Sequence, residues 1–336
     1  MSVEIKTATV ETIRNTFSHT RRRFGDKVAS RYQEASFDLE SATNFHYRPL
    51  WQPDKLLNDA TRTAVVMADW YAVSDPRQYY YGAYVQARAK MQENAEHDYA
   101  FCEKRDMLAG LSGANIQLIS KLLLPLRHAE MGANMNNSNI AADGFGTSVT
   151  QMHMFQAMDR LGIAQYLSRI GLMLDDGDVL LLAQAKQHWL NDPAWQGLRR
   201  YVEDTLVVRD WFELTVAQNL VSDGLVYPLL FHKLDEQLTA NGGGQVGMLT
   251  EFMRLWFAES QRWVDGLLKT VINESAANKA LVQGWIDHWS QRSVQALQPL
   301  TGLGLEASAL DAVCSEFSAR LKKLSLVNQG LTGAQS

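Results

Sequence analysis

Large apolar side chains recur every three or four residues along several long stretches of this chain, and this spacing constrains its fold more than any other feature. The clearest stripe consists of Leu249, Phe252, Trp256, Trp263, Leu267 and Val271, with Glu259 on the same face. A spacing of three and four places residues on one face of an α-helix, whereas strands alternate with a period of two. Period-two alternation is nearly absent. The chain is therefore predicted to be all-α, with long helices packed side by side.

Turn-forming residues predict where these helices begin and end. Asn241-Gly242-Gly243-Gly244 marks a loop before the stripe, and Asn191-Asp192-Pro193 is typical of a capped helix start. Ser74-Asp75-Pro76 has the same pattern and predicts a helix that runs on to Ala95. The other predicted helices span 106–133, 148–173, 178–190, 194–238, 278–296 and 308–324.

The N-terminal part of the chain differs from the rest. Residues 29–53 are rich in aromatic and polar side chains, have no helical periodicity and predict an extended arm. Such an arm needs a surface to lie on, either a neighbouring subunit or its own bundle. We therefore expect a partly extended N-terminal arm over residues 1–60, a helical domain over 61–330 and a flexible C-terminus over 331–336.

Charge and cysteine content narrow the classes of function. The net charge is −5 and the pI is about 5.9, which argues against nucleic acid as a partner because phosphate binding requires a basic face. The short cluster Arg21-Arg22-Arg23 predicts a solvated face or an ion-pairing contact with an acidic partner. Cys102 and Cys314 form no CxxC pair and are expected to be reduced, buried thiols. The first residues do not match a signal peptide and no apolar stretch approaches a membrane span, so we expect a cytoplasmic protein.

Long-helix bundles often hold a di-iron site, which takes a Glu from each of two helices and a Glu-x-x-His pair from each of the other two. The chain has eight histidines, so this requirement can be tested completely. The residues three positions before them are Thr16, Thr43, Asn94, Pro125, Thr150, Ala185, Leu229 and Trp285. None is a carboxylate, and zinc, phosphate-loop and GxSxG motifs are also absent. We therefore expect no catalytic, cofactor-binding or metal site in this chain.

Two polar pairs and one aromatic cluster leave alternatives open. His232 and Asp235 could share a helical face and bind a metal, although a surface pair is favoured. Asp210 and Glu213 could form a catalytic pair, although a salt-bridged or solvated helix face is favoured. An aromatic cluster could line a pocket, as in a free-standing helical enzyme or ligand-binding protein. Its members are Trp70, Tyr71, Tyr79, Tyr80, Tyr81 and Tyr84.

Several segments resemble a known family. They are Asp75-Pro76-Arg77-Gln78-Tyr79-Tyr80-Tyr81-Gly82-Ala83-Tyr84-Val85-Gln86-Ala87-Arg88, His46-Tyr47-Arg48-Pro49, Leu126-Arg127-His128-Ala129-Glu130-Met131-Gly132, and Asp210-Trp211-Phe212-Glu213 with Asn219. They are similar to the beta subunit of the oxygenase component of bacterial multicomponent phenol hydroxylases and toluene monooxygenases. The resemblance implies an all-α, ferritin-like long-helix bundle with additional helices and an extended N-terminal arm.

The resemblance also implies where iron ligands would stand. The iron motifs of the catalytic alpha subunits have the approximate form Asp-Glu-x-Arg-His. Here Pro125 takes the place of the glutamate before His128, and Arg262 takes the place of the histidine after Glu259. Each motif lacks one ligand, so these positions are expected to be degenerate. Because Glu259 lies on the apolar stripe, we expect a buried ion pair with Arg262 or another arginine; the alternative is a carboxylate at the edge of the stripe that reaches water.

The implied function is that of a non-catalytic structural subunit of a soluble di-iron monooxygenase. The expected partners are a catalytic alpha subunit, which would hold the di-iron centre and the substrate pocket, and a small gamma subunit. Together they would form a dimer of alpha–beta–gamma protomers, served by a regulatory protein and a flavin/iron–sulfur NADH reductase. The complex would hydroxylate phenol-like aromatics with O2 and electrons from NADH. No nucleic acid or membrane partner is expected.

Overall fold

The computed structural model describes residues 18–40 and 48–327. All regular secondary structure within these ranges is helical. The α-helices are α1 (Ser18–Phe24), α2 (Arg31–Ser36), α3 (Tyr81–Lys104), α4 (Gly113–Leu118), α5 (Leu126–Asp143), α6 (Thr147–Leu174), α7 (Leu180–Asn191), α8 (Pro193–Thr205), α9 (Trp211–Thr215), α10 (Asp223–Tyr227), α11 (Leu234–Ala240), α12 (Gln245–Glu274), α13 (Ala276–Thr301) and α14 (Ala309–Lys323). The prediction of an all-α fold is confirmed for this part of the chain.

Wider π-helical turns join several of these helices end to end. The segment Ile119–Leu123 follows α4, whereas Val216–Ser222 and Pro228–Lys233 join α9, α10 and α11 into one rod. The residues that flank these turns keep right-handed helical backbone angles, so the rod continues without a break from residue 211 to residue 240. Turns of this type widen a helix locally and are frequent at functional sites.

Four long elements surround the centre of the core. Helix α5 packs along α6 and against α9, and α12 packs against α6 and against the rod formed by α9 to α11. Trp211, Trp256 and Trp263 are completely buried between these elements. Helices α13 and α14 cover other sides of the rod, and α8 packs against α5 and α13. The arrangement is a four-element helical core with additional helices around it.

Two predicted helices have different boundaries in the structure. The predicted helix over 194–238 is interrupted after Thr205, because the side chain of Asp210 accepts hydrogen bonds from the backbone N–H groups of Phe212 and Glu213 and starts a new helix. The predicted helix over 106–133 begins only at Gly113, where Ser112 caps it.

The helix start predicted at Ser74-Asp75-Pro76 is wrong. Helix α3 begins at Tyr81, five residues after the proline. Gln78 has a φ of +52°, which no α-helix contains, and the Asp75 carboxylate accepts hydrogen bonds from the backbone N–H and the guanidinium of Arg77. The Asp-Pro pair therefore forms a tight turn rather than a helix cap.

The segment predicted to be extended, 29–53, contains a short helix. Ser30 and Gln33 form a capping box that starts α2, a local signal that outweighs the lack of apolar periodicity. This part of the chain lies on its own bundle, since the Thr147 hydroxyl donates to the Ser36 carbonyl (2.8 Å) and Tyr32 and Phe37 pack with Tyr71. Residues 41–47, which include His46 and Tyr47, lie outside the described residues, as do residues 328–336.

The loop predicted before α12 is confirmed, since residues 241–244 connect the rod to that helix. Cys102 and Cys314 are free thiols; Cys102 is buried as predicted, whereas Cys314 is only half-buried because it lies on the outer helix α14. Among the described helices, none combines the length and the apolar character needed to cross a membrane.

Candidate functional site

The centre of the four-element core holds a buried cation, the guanidinium of Arg160 on α6. Its side chain is 1% exposed. One terminal nitrogen donates to Glu130 Oε2 of α5 (3.0 Å) and to the Tyr227 hydroxyl of α10 (3.1 Å), and the other donates to Asp223 Oδ2 of α10. The guanidinium carbon lies 4.4 Å from the ring centroid of Trp256 on α12. The three other elements of the core thus each contribute a contact to one positive charge that α6 carries.

A π turn of the rod places additional polar groups around this cation. Gln218 Nε2 donates to Asp223 Oδ1 (3.0 Å), five residues further on, because the wider turn brings residues i and i+5 onto one face. Gln218 Oε1 also accepts from Asn136 Nδ2 of α5 (2.8 Å). Beside it, the amides of Asn137 and Asn219 are hydrogen-bonded to each other. The polar layer therefore crosses the core from α5 to the rod.

Burial has the largest effect on the pKa of the two carboxyl groups, Glu130 and Asp223. It raises the pKa of both Glu130 and Asp223, and the guanidinium of Arg160 acts in the opposite direction. The Tyr227 hydroxyl donates to Glu130 Oε1 (2.8 Å), and burial raises its own pKa far above the usual range. The two buried carboxyl groups thus share one cation, and Glu130 also accepts a hydrogen bond from one phenol.

The donor set at this centre does not fit a di-iron site. Such a site requires four carboxylates and two imidazoles that all project inward. Here Glu130 and Asp223 are the two carboxylates that bind Arg160, and the bound guanidinium would repel a metal cation. Within residues 18–40 and 48–327, no group of three or more His, Cys, Asp and Glu side chains is arranged to hold a metal ion.

The buried imidazole of α6, His153, is also committed to other contacts. Its Nδ1 lies 2.9 Å from the Val149 carbonyl and its Nε2 lies 3.1 Å from the Thr215 hydroxyl. Burial lowers the pKa of His153 to about 4, so the ring is neutral at physiological pH. Its ring packs edge-on against Trp263. These contacts give it a structural role inside the core.

A second charged network surrounds Glu259 of α12. Its carboxylate accepts hydrogen bonds from Arg88 Nη2 (2.8 Å), Arg77 Nη1 (3.1 Å) and the Tyr79 hydroxyl (3.0 Å). Burial opposes ionisation of Glu259, but the hydrogen bonds and charges of the two arginines outweigh it and lower the pKa. Arg88 also binds Asp159 of α6 through two nitrogens, at 2.8 Å each. This network joins α3, α6 and α12.

Comparison with known proteins places these features in a family. Residues 51–275 match the family model described as methane/phenol/alkene hydroxylase. The chain belongs to the methane/phenol/alkene hydroxylase family. It is 60% identical over 326 residues to the phenol 2-monooxygenase oxygenase component DmpL of Pseudomonas sp. (strain CF600), with 97% of this chain and 98% of that protein covered.

More distant relatives and a solved structure agree. The chain is 24% identical over 318 residues to the hydroxylase component subunit beta of the toluene-4-monooxygenase system of Ectopseudomonas mendocina, with 88% and 92% covered. The crystal structure of xenon-pressurized phenol hydroxylase from Pseudomonas sp. OX1 contains a chain that is 54% identical with a TM-score of 0.92, and 97% of this chain and 100% of that chain are covered. The resemblance to phenol hydroxylase and toluene monooxygenase subunits is confirmed, and with it the ferritin-like helical fold.

Two of the four positions expected to be degenerate iron ligands, His128 and Glu259, contact other groups of the protein. Pro125 precedes α5, and His128 packs against the ring of Trp189 at 5.9 Å between centroids. Burial lowers the pKa of His128 to about 4. Glu259 forms the ion pair that the sequence predicted, but with Arg77 and Arg88, whereas Arg262 is exposed. The Glu259 side chain is only 12% exposed, which disfavours a carboxylate at the water-facing edge.

The two polar pairs considered from the sequence have other roles. Asp210 caps α9 and also accepts from the Ala64 backbone N–H (2.6 Å), and Glu213 accepts from Trp289 Nε1 (3.0 Å). Asp235 is ion-paired with Arg254 rather than with His232. Neither pair forms a site. The salt-bridged or solvated face favoured for Asp210 and Glu213 is wrong, because both carboxylates are half-buried and accept hydrogen bonds from neutral N–H groups of the protein.

The aromatic cluster considered from the sequence is divided among separate contacts. Trp70 packs against Trp211 (4.9 Å between centroids), Tyr71 stacks on Phe37 and Tyr84 stacks on Phe155. Tyr81 points outward and is 68% exposed. These rings therefore do not line one pocket. In the basic cluster near the N-terminus, two of the three arginines form ion pairs within the chain: Arg21 with Asp26, and Arg23 with Asp38 and Asp69.

Proposed function

We propose that this chain is a non-catalytic structural subunit, the beta subunit, of the oxygenase in a multicomponent monooxygenase that hydroxylates phenol-like aromatics with O2 and electrons from NADH. The names of its relatives support the reaction class. The observation that carries the structural role is the Arg160 guanidinium between Glu130 and Asp223, at the centre of a core that holds metals in other bundles of this type.

In this proposal the Arg160 guanidinium provides the positive charge at the centre of the core that a bound metal provides in other bundles of this type. Arg160 ties α6 to α5, to the rod and to α12 through hydrogen bonds and a ring contact. Such a centre stabilises and orients the helices but binds no O2 or substrate. The catalytic alpha subunit would supply the di-iron centre and the substrate pocket. A small gamma subunit, a regulatory protein and a reductase complete the proposed cytoplasmic system, with no nucleic acid or membrane partner.

Iron content tests this proposal directly. The chain is purified alone and with its alpha partner, and iron is measured by elemental analysis. We expect less than about a tenth of an iron in the chain alone, and the two irons of a di-iron site in the alpha–beta pair. Close to two irons in the chain alone would refute the structural role.

A variant and its matched control show which of the two chains supplies the iron ligands of the complex. Glu130→Gln with Asp223→Asn removes both carboxylates around Arg160 from this chain, whereas an exposed carboxylate such as Glu316 changed to Gln is the control. Both variants are expected to leave the iron content of the complex unchanged. A loss of iron confined to the first variant would place ligands in this chain and contradict the proposal.

A further inference from the structure

A cavity of about 300 Å³ lies between α3, α6 and α12 and is partly open to water. This volume is at the lower end of the range for small-molecule sites, about 300–1,000 Å³. It is sufficient for a single-ring aromatic molecule, since a cavity of about 150 Å³ can hold benzene. The lining combines aromatic rings with charged side chains, and each of these two features restricts the ligand that the cavity can bind.

Three aromatic rings in the lining are held in place by neighbouring rings. Tyr84 of α3 stacks on Phe155, with 4.3 Å between centroids and 5° between planes. Tyr166 of α6 stacks on Tyr99 (5.7 Å between centroids) and also packs against Phe252 of α12 (4.9 Å). Walls of fixed aromatic side chains are typical of preformed small-molecule sites and favour an aromatic ligand.

The charged side chains in the lining are already ion-paired. Arg169 Nη1 donates to Glu96 Oε2 (2.7 Å), and Arg88 binds Asp159 through two nitrogens. A ligand with a net charge would have to separate one of these pairs or lie beside a group of its own charge. The cavity therefore favours a neutral ligand.

Two polar atoms of the lining are available to a ligand. Within the part of the chain that the structure describes, neither the Tyr166 hydroxyl nor Glu96 Oε1 has a hydrogen-bond partner. Burial raises the pKa of Tyr166 and the nearby Glu96 carboxylate acts in the same direction, so the hydroxyl is protonated at physiological pH. A phenolic hydroxyl donates and accepts, whereas a carboxylate only accepts. A hydroxyl group on the ligand therefore finds one donor and one acceptor here.

We propose that this cavity binds a neutral, single-ring aromatic molecule with a hydroxyl group, a phenol. Its ring packs among the aromatic side chains, and its hydroxyl accepts a hydrogen bond from Tyr166 and donates one to Glu96. A phenol is uncharged at physiological pH, because a phenolic hydroxyl has a pKa of about 10. The ligand class follows from the cavity itself; that it is also the substrate class of the oxygenase rests on the proposed function.

The test measures binding of 4-fluorophenol to the full chain by fluorine NMR, with unlabelled phenol as the competitor. We expect saturable binding to wild type and about three- to tenfold weaker binding to Tyr166→Phe, because one hydrogen bond is lost. The matched control is Tyr81→Phe, which removes the same hydroxyl from a tyrosine that is 68% exposed and lies outside the lining. The control should bind as wild type does. Circular dichroism checks that all three proteins are equally folded.

A second measurement tests the preference for a neutral ligand. Benzoate is a single-ring aromatic anion and should bind to wild type at least about tenfold more weakly than 4-fluorophenol, because its carboxylate meets Glu96. Glu96→Gln releases Arg169 from its shortest ion pair and should reverse this preference in favour of benzoate. Glu93→Gln is the control, since it removes the same charge from an exposed position of α3 outside the lining and should leave the preference unchanged.

The outcomes separate this inference from the proposed function. The inference is wrong if 4-fluorophenol shows no saturable binding to wild type, if Tyr166→Phe binds it as tightly as wild type does, or if benzoate binds equally well. None of these results changes the iron content, so the proposed function then stands. Close to two irons in the chain alone would refute the proposed function, whereas binding that depends on Tyr166 would still support a phenol site in this cavity.

Discussion

Replacing Arg160 by Met should show how much the internal cation contributes to stability. The methionine fills much of the same space but provides no charge and no hydrogen bond. Glu130 and Asp223 then remain buried without a cation, and the Tyr227 hydroxyl loses a donor. Removing one partner of a buried ion pair destabilises proteins by about 3–5 kcal/mol. The entropy of unfolding for 336 residues is about 0.7 kcal/mol/K, so Tm should fall by about 4–7 °C.

The loss should depend on pH in a direction that the carboxyl groups determine. Burial already raises the folded-state pKa of Glu130 and Asp223, and removing the guanidinium raises it further. A carboxyl group with a raised folded-state pKa carries no penalty while it is protonated in both states. The penalty grows as pH rises above the unfolded-state pKa and is complete above the folded-state pKa. The destabilisation should therefore be larger at pH 8 than at pH 5.

Thermal unfolding followed by circular dichroism at both pH values measures this effect. Adding Glu130→Gln and Asp223→Asn to Arg160→Met removes the uncompensated charges and should recover part of the lost stability. The control is Arg199→Met, because Arg199 makes an exposed i,i+4 pair with Glu203 that contributes little. A Tm within 1 °C of wild type at pH 8, or an equal loss at both pH values, would refute the view that Arg160 neutralises buried carboxylates.

Substitutions at four further positions test other contacts. Glu259→Gln should destabilise the protein by about 1–3 kcal/mol near pH 7. Because its arginines lower the pKa of Glu259 in the folded state, the difference in stability between wild type and variant should shrink as pH falls below the pKa of the unfolded state. Chemical denaturation at pH 7 and at pH 3.5 measures this change. Gly132→Ala would place a Cβ 2.3 Å from Val202 Cγ1 and should cost about 1–3 kcal/mol. Gly284→Ala meets open space within a helix and should instead stabilise by about 0.5–1 kcal/mol, which makes the two alanines a matched pair in denaturant titrations. Asp210→Ala removes a helix cap and should lower stability by about 1–2 kcal/mol, whereas Asp210→Asn should retain most of it in the same assay.

Local signals in the sequence were sufficient to predict the positions of the long helices. The apolar stripe from Leu249 to Val271 lies on α12, and the predicted helix over 148–173 matches Thr147–Leu174 within one residue at each end. Errors occurred where a side chain overrode the periodic pattern. Asp210 starts a helix inside a stretch that is periodic throughout, and Asp75 closes a turn where proline suggested a helix start.

The polar centre could not be predicted from spacing, because its members are far apart in the chain. Arg160 lies 30 residues from Glu130, 63 from Asp223 and 67 from Tyr227. Periodicity shows which residues share a face of one helix, but not which residue of another helix faces them. One available signal was the pair Asp159-Arg160 in the middle of a largely apolar helix. Charges at such positions are costly unless they are paired, so they indicate partners on other helices.

Trp256 contacts both members of the adjacent pair of opposite charges on α6, Asp159 and Arg160. The side chains of consecutive helical residues point in different directions, so Asp159 extends toward the network around Glu259 while Arg160 extends toward Glu130 and Asp223. The indole of Trp256 touches both: its N–H donates to Asp159 Oδ2 (2.9 Å), and its ring face lies 4.4 Å from the Arg160 guanidinium. The electron-poor N–H edge meets the anion and the electron-rich face meets the cation, as the charge distribution of an aromatic ring requires. One residue thereby connects the two charged networks of the core.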